Sequence, residues 1–161
     1  ADVDANVKTN VIYDFGNADL LLGKDITFSS VGFKQNKSYA LGNSDATMTF
    51  FVVDDCTITL TGYYSGAATI SAAEKTATLT IPSGATAAAK LTLTGITDTT
   101  KVVVTATTNN TYIVSADIQY TSNVDAKWTA LQEKLKANTK IDIAIRIFLN
   151  KLLIIFLLNI I

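Results

Sequence analysis

The chain has 161 residues, room for one core and a short appendage, with 17% charged side chains and a formal net charge of −1. So even a balance offers no basic field for a phosphate backbone, and nucleic acid is not an expected partner. There is no histidine and only one cysteine, Cys56, which removes Ser-His-Asp and Cys-His chemistry, zinc-ligand spacings and any disulfide within the chain.

The opening Ala-Asp-Val-Asp-Ala-Asn has no initiator Met, basic n-region or apolar h-region. It reads as a chain left after signal-peptide removal, and the abundance of Thr, Ser and Asn fits an extracellular β protein, so secretion is the expectation. Residues 11–15 (Val-Ile-Tyr-Asp-Phe) and 26–28 (Ile-Thr-Phe) read as strands, and the polar stretch 34–45 as a loop carrying Tyr39 and Leu41.

From residue 46 the pattern becomes regular. Residues 46–53 open a series of short alternations, and 56–61 place Cys56, Ile58 and Leu60 on one face and three threonines on the other. Further strands are expected at 67–71, 76–81, 91–94, 101–107 and 112–120, punctuated by Ser65-Gly66, Pro82-Ser83-Gly84, Gly95, Asn109-Asn110 and Ser122-Asn123. Strands at this spacing, with no helical period between them, predict an all-β fold, an antiparallel β-sandwich or jelly roll, over residues 1–122. Cys56 falls on the inward phase, where a thiol behaves as a small hydrophobe.

After residue 122 the period changes. Val124, Trp128, Leu131 and Leu135 recur at intervals of four, three and four among charged residues, which predicts an amphipathic helix or connector over 123–139 with Asn123 as its N-cap. Residues 140–161 form an apolar tail: Ile141, Ile143, Ile145 and Ile147 alternate like a strand, then 152–161 are aliphatic or aromatic except Asn159. A bilayer span would have to bury Lys151 and Arg146, so a membrane partner is not expected. The tail reads as an added strand pair or as a surface for self-association.

Catalysis is not expected either. No Gly-rich phosphate loop links a strand to a helix, and the neighbouring carboxylates Asp54 and Asp55 point apart in a strand or turn instead of flanking a substrate. Asp14, Asp54 and Asp55, with Asp19 and Asn17, supply hard oxygen ligands near strand ends, which makes a structural calcium a candidate cofactor. The competing reading is that these are solvated turn carboxylates.

The stretch 59–70, Thr-Leu-Thr-Gly-Tyr-Tyr-Ser-Gly-Ala-Ala-Thr-Ile, sets two rings side by side between glycines. Continuing the phase of Ile58 and Leu60 turns Gly62 and Tyr64 inward and Tyr63 outward. An open ring of this kind can stack on a pyranose, so Tyr63, with Tyr39 and Tyr112, is the candidate carbohydrate-binding set. Alternatively Tyr63 folds over a core edge with its hydroxyl in water.

The run Cys56-Thr-Ile-Thr-Leu, then Ala67-Ala-Thr-Ile, the step Leu91-Thr-Leu-Thr-Gly95 and the closing 112–120 resemble the β-sandwich modules attached to secreted bacterial pectate lyases and other polysaccharide-degrading enzymes. The opening Ile12-Tyr13-Asp14-Phe15 is similar to the Trp-Asp-Phe start of those modules, with Tyr13 where Trp is common. The resemblance covers residues 11–121 and implies a non-catalytic module that binds polysaccharide or displays an enzyme on a surface. It transfers no ligand-contacting residue and leaves the tail unmatched. The rival reading is a structural or adhesive surface subunit that assembles through the helix and tail.

Overall fold

The computed structural model describes residues 9–15, 26–29, 33–35 and 38–160. The opening residues 1–8 and the candidate ligands Asn17 and Asp19 lie outside them. In chain order the described elements are β1 (Asn10–Asp14), β2 (Thr27–Phe28), β3 (Phe33–Gln35), β4 (Ser38–Leu41), β5 (Thr47–Val52), β6 (Cys56–Tyr63), β7 (Gly66–Ala72), β8 (Lys75–Ile81), β9 (Thr86–Leu93), β10 (Thr100–Ala106), β11 (Thr111–Tyr120) and α1 (Asp125–Ile160). Two compact units result, residues up to Asp125 and residues from Ala126.

The first unit is an antiparallel β-sandwich. One sheet has the order β3-β4-β11-β6-β9, with β1 also pairing β11, and the other runs β2-β5-β10-β7-β8. Strand β11 serves two neighbours along one edge, β4 over Thr111 to Ile113 and β1 over Ser115 to Gln119. A register shift against β6 between Ile113 and Ser115 marks the change.

Alternation decides which residues make the core. Strand β5 turns Met48, Phe50 and Val52 inward, all fully buried, and β6 turns Cys56, Ile58, Leu60 and Gly62 inward with Thr57, Thr59 and Thr61 outward. The Phe50 ring lies 5.4 Å from that of Tyr13 at a 48° tilt, so β1 and β5 meet across the core. The expected outward threonines therefore keep the sheet faces polar, as the period-2 pattern requires.

The expected loop over 34–45 is corrected: it contains β3 and β4, paired Phe33↔Ala40 through Gln35↔Ser38. Ser38, Ala40 and Leu41 are buried there, and small or polar residues at buried positions carry no hydrophobic period. Likewise β9 begins at Thr86, five residues before the expected 91, because Ala87, Ala88 and Ala89 signal neither strand nor turn.

The second unit is one continuous helix. The Asn123 side chain accepts the Asp125 N–H at 2.9 Å, the expected cap, and no Gly or Pro interrupts the chain from 125 to 160. The alternating isoleucines at 141–147 are thus helical, not a strand pair. Trp128 and Leu131 are buried, whereas the large apolar side chains from Ile141 to Ile160 are exposed.

Cys56 is free and buried, and burial first, then the nearby Asp55 and Asp54 charges, push its thiol up to about 12. Burial raises the Tyr120 hydroxyl in the same direction. An unfolded chain loses the Cys56 proton near the ordinary 9.0 while the folded chain keeps it. Stability is therefore full below pH 9 and falls across pH 9–12, with Tyr120 adding to the fall. Urea midpoints measured from pH 7 to 11 should decline above pH 9, less steeply in Cys56→Ala. At pH 8 the native thiol should resist a disulfide reagent that labels it on unfolding; prompt native labelling contradicts this placement.

Candidate functional site

The sandwich has two ends, and the tyrosines mark one of them. There the chain passes between sheets through Tyr64-Ser65 (β6 to β7), 82–85 (β8 to β9), 107–110 (β10 to β11) and 42–46 (β4 to β5). The passage at Tyr64-Ser65 is the shortest of these, only two residues, and its backbone is tied on both sides. Tyr64 N–H donates to Ala85 C=O at 3.0 Å, Gly84 N–H to Tyr64 C=O at 2.7 Å, and Tyr112 N–H to Ser65 C=O at 3.2 Å.

So tight a passage demands unusual dihedrals. Tyr64 has φ 85° and Gly66 φ 114°, both in the left-handed region. For glycine this costs little; for a bulky tyrosine it stores on the order of 1–3 kcal/mol of strain. Gly66 is also pressed against β11: a Cβ there would lie 2.5 Å from Thr111 Cα and 2.7 Å from its Oγ1. The hydroxyl of Thr111, a fully buried residue, lies 3.0 Å from both Ala67 C=O and Thr108 C=O and donates its one proton between them, which fixes the 107–110 loop beside the passage. Gly62 has no room either, since its Cβ would collide with the Ile81 side chain.

These ties set the rings. Tyr64 is 45% exposed, and it stands edge-on to Tyr112 at 5.6 Å and 88°. Tyr63, half-buried, lies 6.4 Å from Tyr64 and shares the outer face of its sheet with Thr86. The expected inward Tyr64 is corrected: β6 ends at Tyr63, and the left-handed residue after it leaves the period-2 phase. Tyr112, named from sequence as a platform, is buried to 7% exposure and supports Tyr64 without offering a face. Tyr39 is stacked on Phe28 at 4.3 Å and 22°, which occupies one of its faces. The structure thus brings together Tyr63, Tyr64 and Tyr112, and holds Tyr39 in a separate stack. Sequence reasoning missed Tyr64 as the exposed ring, although the adjacent Ser65-Gly66 turn signal was its trace.

The carboxylates are not brought together. Asp14 pairs in register with Ser115 and is exposed, while Asp54 and Asp55 precede Cys56, which pairs with Tyr120. Five residues of β11 separate those positions, roughly 16 Å. Asp54 Oδ1 accepts the Asp55 N–H at 2.8 Å and its Oδ2 the Ser122 hydroxyl at 3.1 Å; Asp55 Oδ1 accepts the Ile96 N–H at 2.7 Å. Among the described residues no group of three or more His, Cys, Asp or Glu side chains could hold a metal. Asp14, Asp54 and Asp55 are therefore not one calcium site, and the last two cap loops at the end opposite the tyrosines. Asp55→Ala should cost about 1–3 kcal/mol by leaving the Ile96 N–H without its acceptor, and that loss should appear in urea unfolding with calcium chelated.

No protein-family model matches the chain, and no curated protein does. Solved structures do. A family two carbohydrate esterase from Cellvibrio japonicus superposes with a TM-score of 0.52 at 6% identity, covering 70% of this chain and 34% of that one. The carbohydrate-binding module CBM36, in complex with calcium and xylotriose, superposes at 0.50 with 11% identity, over 68% of this chain and 99% of the module. A two-domain esterase active on acetylated mannans gives 0.50 and 15%, over 76% and 40%. This chain thus spans about a third of the first esterase and the whole of the module. At such identities the likeness establishes the fold alone: the first unit shares its β-sandwich fold with that module.

Proposed function

We propose that this protein is a secreted, non-catalytic carbohydrate-binding module that holds a polysaccharide against Tyr63 and Tyr64. The observation that carries the reading is Tyr64, a bulky ring held at a strained φ of 85°, 45% exposed and braced by Tyr112. Glycine or asparagine would close the same passage at less cost, so the ring has a use that folding does not supply. Pyranose faces stack on rings of this kind, and Ser65, Ser83, Thr86 and Asn109 stand in the adjoining segments to bond hydroxyls. The fit over 99% of the length of CBM36, a carbohydrate-binding module, supports a binding role.

The test is affinity electrophoresis of the full chain in gels containing wheat arabinoxylan or konjac glucomannan, beside Tyr64→Gly and Tyr63→Ala. Tyr64→Gly relieves the strained φ, so its stability should stay within about 1 kcal/mol of wild type while retention falls about tenfold. Equal retention of wild type and both variants would remove the tyrosines from the site.

A second reading rests on the exposed apolar side chains from Ile141 to Ile160: a surface subunit that self-associates through α1. Analytical ultracentrifugation decides it, because a monomer at micromolar concentration has no such assembly.

A further inference from the structure

Three of the four stretches that meet at the tyrosine end, residues 56–73, 76–89 and 102–116, contain no Asp, Glu, Lys or Arg. In a chain that is 17% charged, the fourth, 42–46, adds one charge, Asp45, so these segments bring an anion and no cation to the rings. Resting on the carbohydrate-binding reading above, we infer that the Tyr63–Tyr64 site takes an uncharged polysaccharide and rejects polyuronates such as polygalacturonate.

The neighbouring charges reinforce the choice. On the outer face of the β1–β11–β6 sheet, Asp14 pairs with Ser115 and Ser115 with Thr61, two positions from Tyr63. Asp45 N–H bonds Ala106 C=O in the loop beside the 107–110 passage. Any charge these carboxylates present has the same sign as a bound uronate. Along the same sheet the described lysine positions are displaced from the ring: Lys90 pairs with Thr59, four residues from Tyr63 or about 13 Å, and Lys34 is on β3, three strands from β6 or about 14 Å. A uronate packed on a tyrosine face would lose hydration from its carboxylate, and the segments that meet at this end, 42–46, 56–73, 76–89 and 102–116, carry no guanidinium or ammonium to replace it.

A neutral pyranose meets no such penalty. Its C–H face needs only the ring, and its hydroxyls need donors and acceptors of moderate strength. Ser65, Ser83 and Thr86 supply hydroxyls, and Asn109, whose Oδ1 accepts the Ser44 N–H at 2.8 Å, keeps its amide N–H₂. Binding without ion pairs is also insensitive to salt.

The experiment compares retention of the full chain in gels of wheat arabinoxylan, konjac glucomannan and polygalacturonate, in EDTA so that no cation bridges, at 50 and 500 mM NaCl as nominal low and high salt (about a threefold change in Debye length). The expected result is retention by one or both neutral polymers, at least about tenfold stronger than by polygalacturonate and unchanged by salt. Retention by polygalacturonate equal to or above that on the neutral polymers overturns the inference and leaves carbohydrate binding intact. Retention by none of the three overturns the carbohydrate-binding reading and this inference with it.

Discussion

Phe50→Ala is expected to destabilise the sandwich by about 3–5 kcal/mol, the largest effect of any single change considered for this chain. The ring has no solvent exposure, lies in the middle of β5 between Met48 and Val52 and meets Tyr13 across the core. Its removal loses the transfer free energy of a phenyl group and leaves a cavity that two hydrogen-bonded sheets cannot close. Against the total of about 5–15 kcal/mol that holds a domain together, the loss is a large share. Urea unfolding should show a lowered midpoint with an unchanged slope; a midpoint shift worth under about 1 kcal/mol would contradict the packing described.

Gly66→Ala should be nearly as damaging, by about 2–4 kcal/mol, for two independent reasons. Its φ of 114° is closed to L side chains, and its Cβ would meet the Thr111 backbone at 2.5 Å, an atom that cannot swing aside. Thr111 is in turn bonded to Ala67 and Thr108, so relief must move the 107–110 loop. The variant should therefore lose stability and also disturb the rings, as Tyr112 adjoins Thr111 and braces Tyr64. Gly84→Ala is the control: it shares a positive φ, 72°, but has open space at the Cβ position, so only the backbone term, about 1 kcal/mol, should appear.

Much of the sandwich was legible in the sequence because alternation survives wherever one face is dry. Cys56, Ile58 and Leu60 against Thr57, Thr59 and Thr61 fix both the strand and its facing, since a one-residue slip would put threonines in the core. Where that contrast is absent the signal fails. Ser38-Tyr39-Ala40-Leu41 hides β4 because a polar residue occupies a buried position, and Ala87 to Ala89 hides the first half of β9. The tail misled differently: Ile141, Ile143, Ile145 and Ile147 alternate, yet the helix nucleated at Asn123 runs on through them with no breaker.

The site was legible only in part. Two rings between glycines drew attention to the correct turn, but which ring opens to solvent depends on where β6 stops, and a period-2 phase cannot announce its own end. Tyr64, not Tyr63, follows the last strand residue and takes the left-handed φ. Tyr112 is distant in sequence and joins the cluster only because β11 pairs with β6 and bonds Ser65. The carboxylates failed for the same reason in reverse, since spacing along the chain could not place Asp14 and Asp54 at different positions along β11.

Tyrosine ring resonances of the full chain, assigned through Tyr63→Phe and Tyr64→Phe, report on sugar contact when followed during titration with mannohexaose and xylohexaose. The predicted result is saturable shifts at Tyr63 and Tyr64, a smaller response at the bracing Tyr112, and none at Tyr13 or Tyr120 in the core. Unmoved Tyr63 and Tyr64 resonances, with shifts clustered at the Asp54–Asp55 end or absent at millimolar sugar, would contradict it.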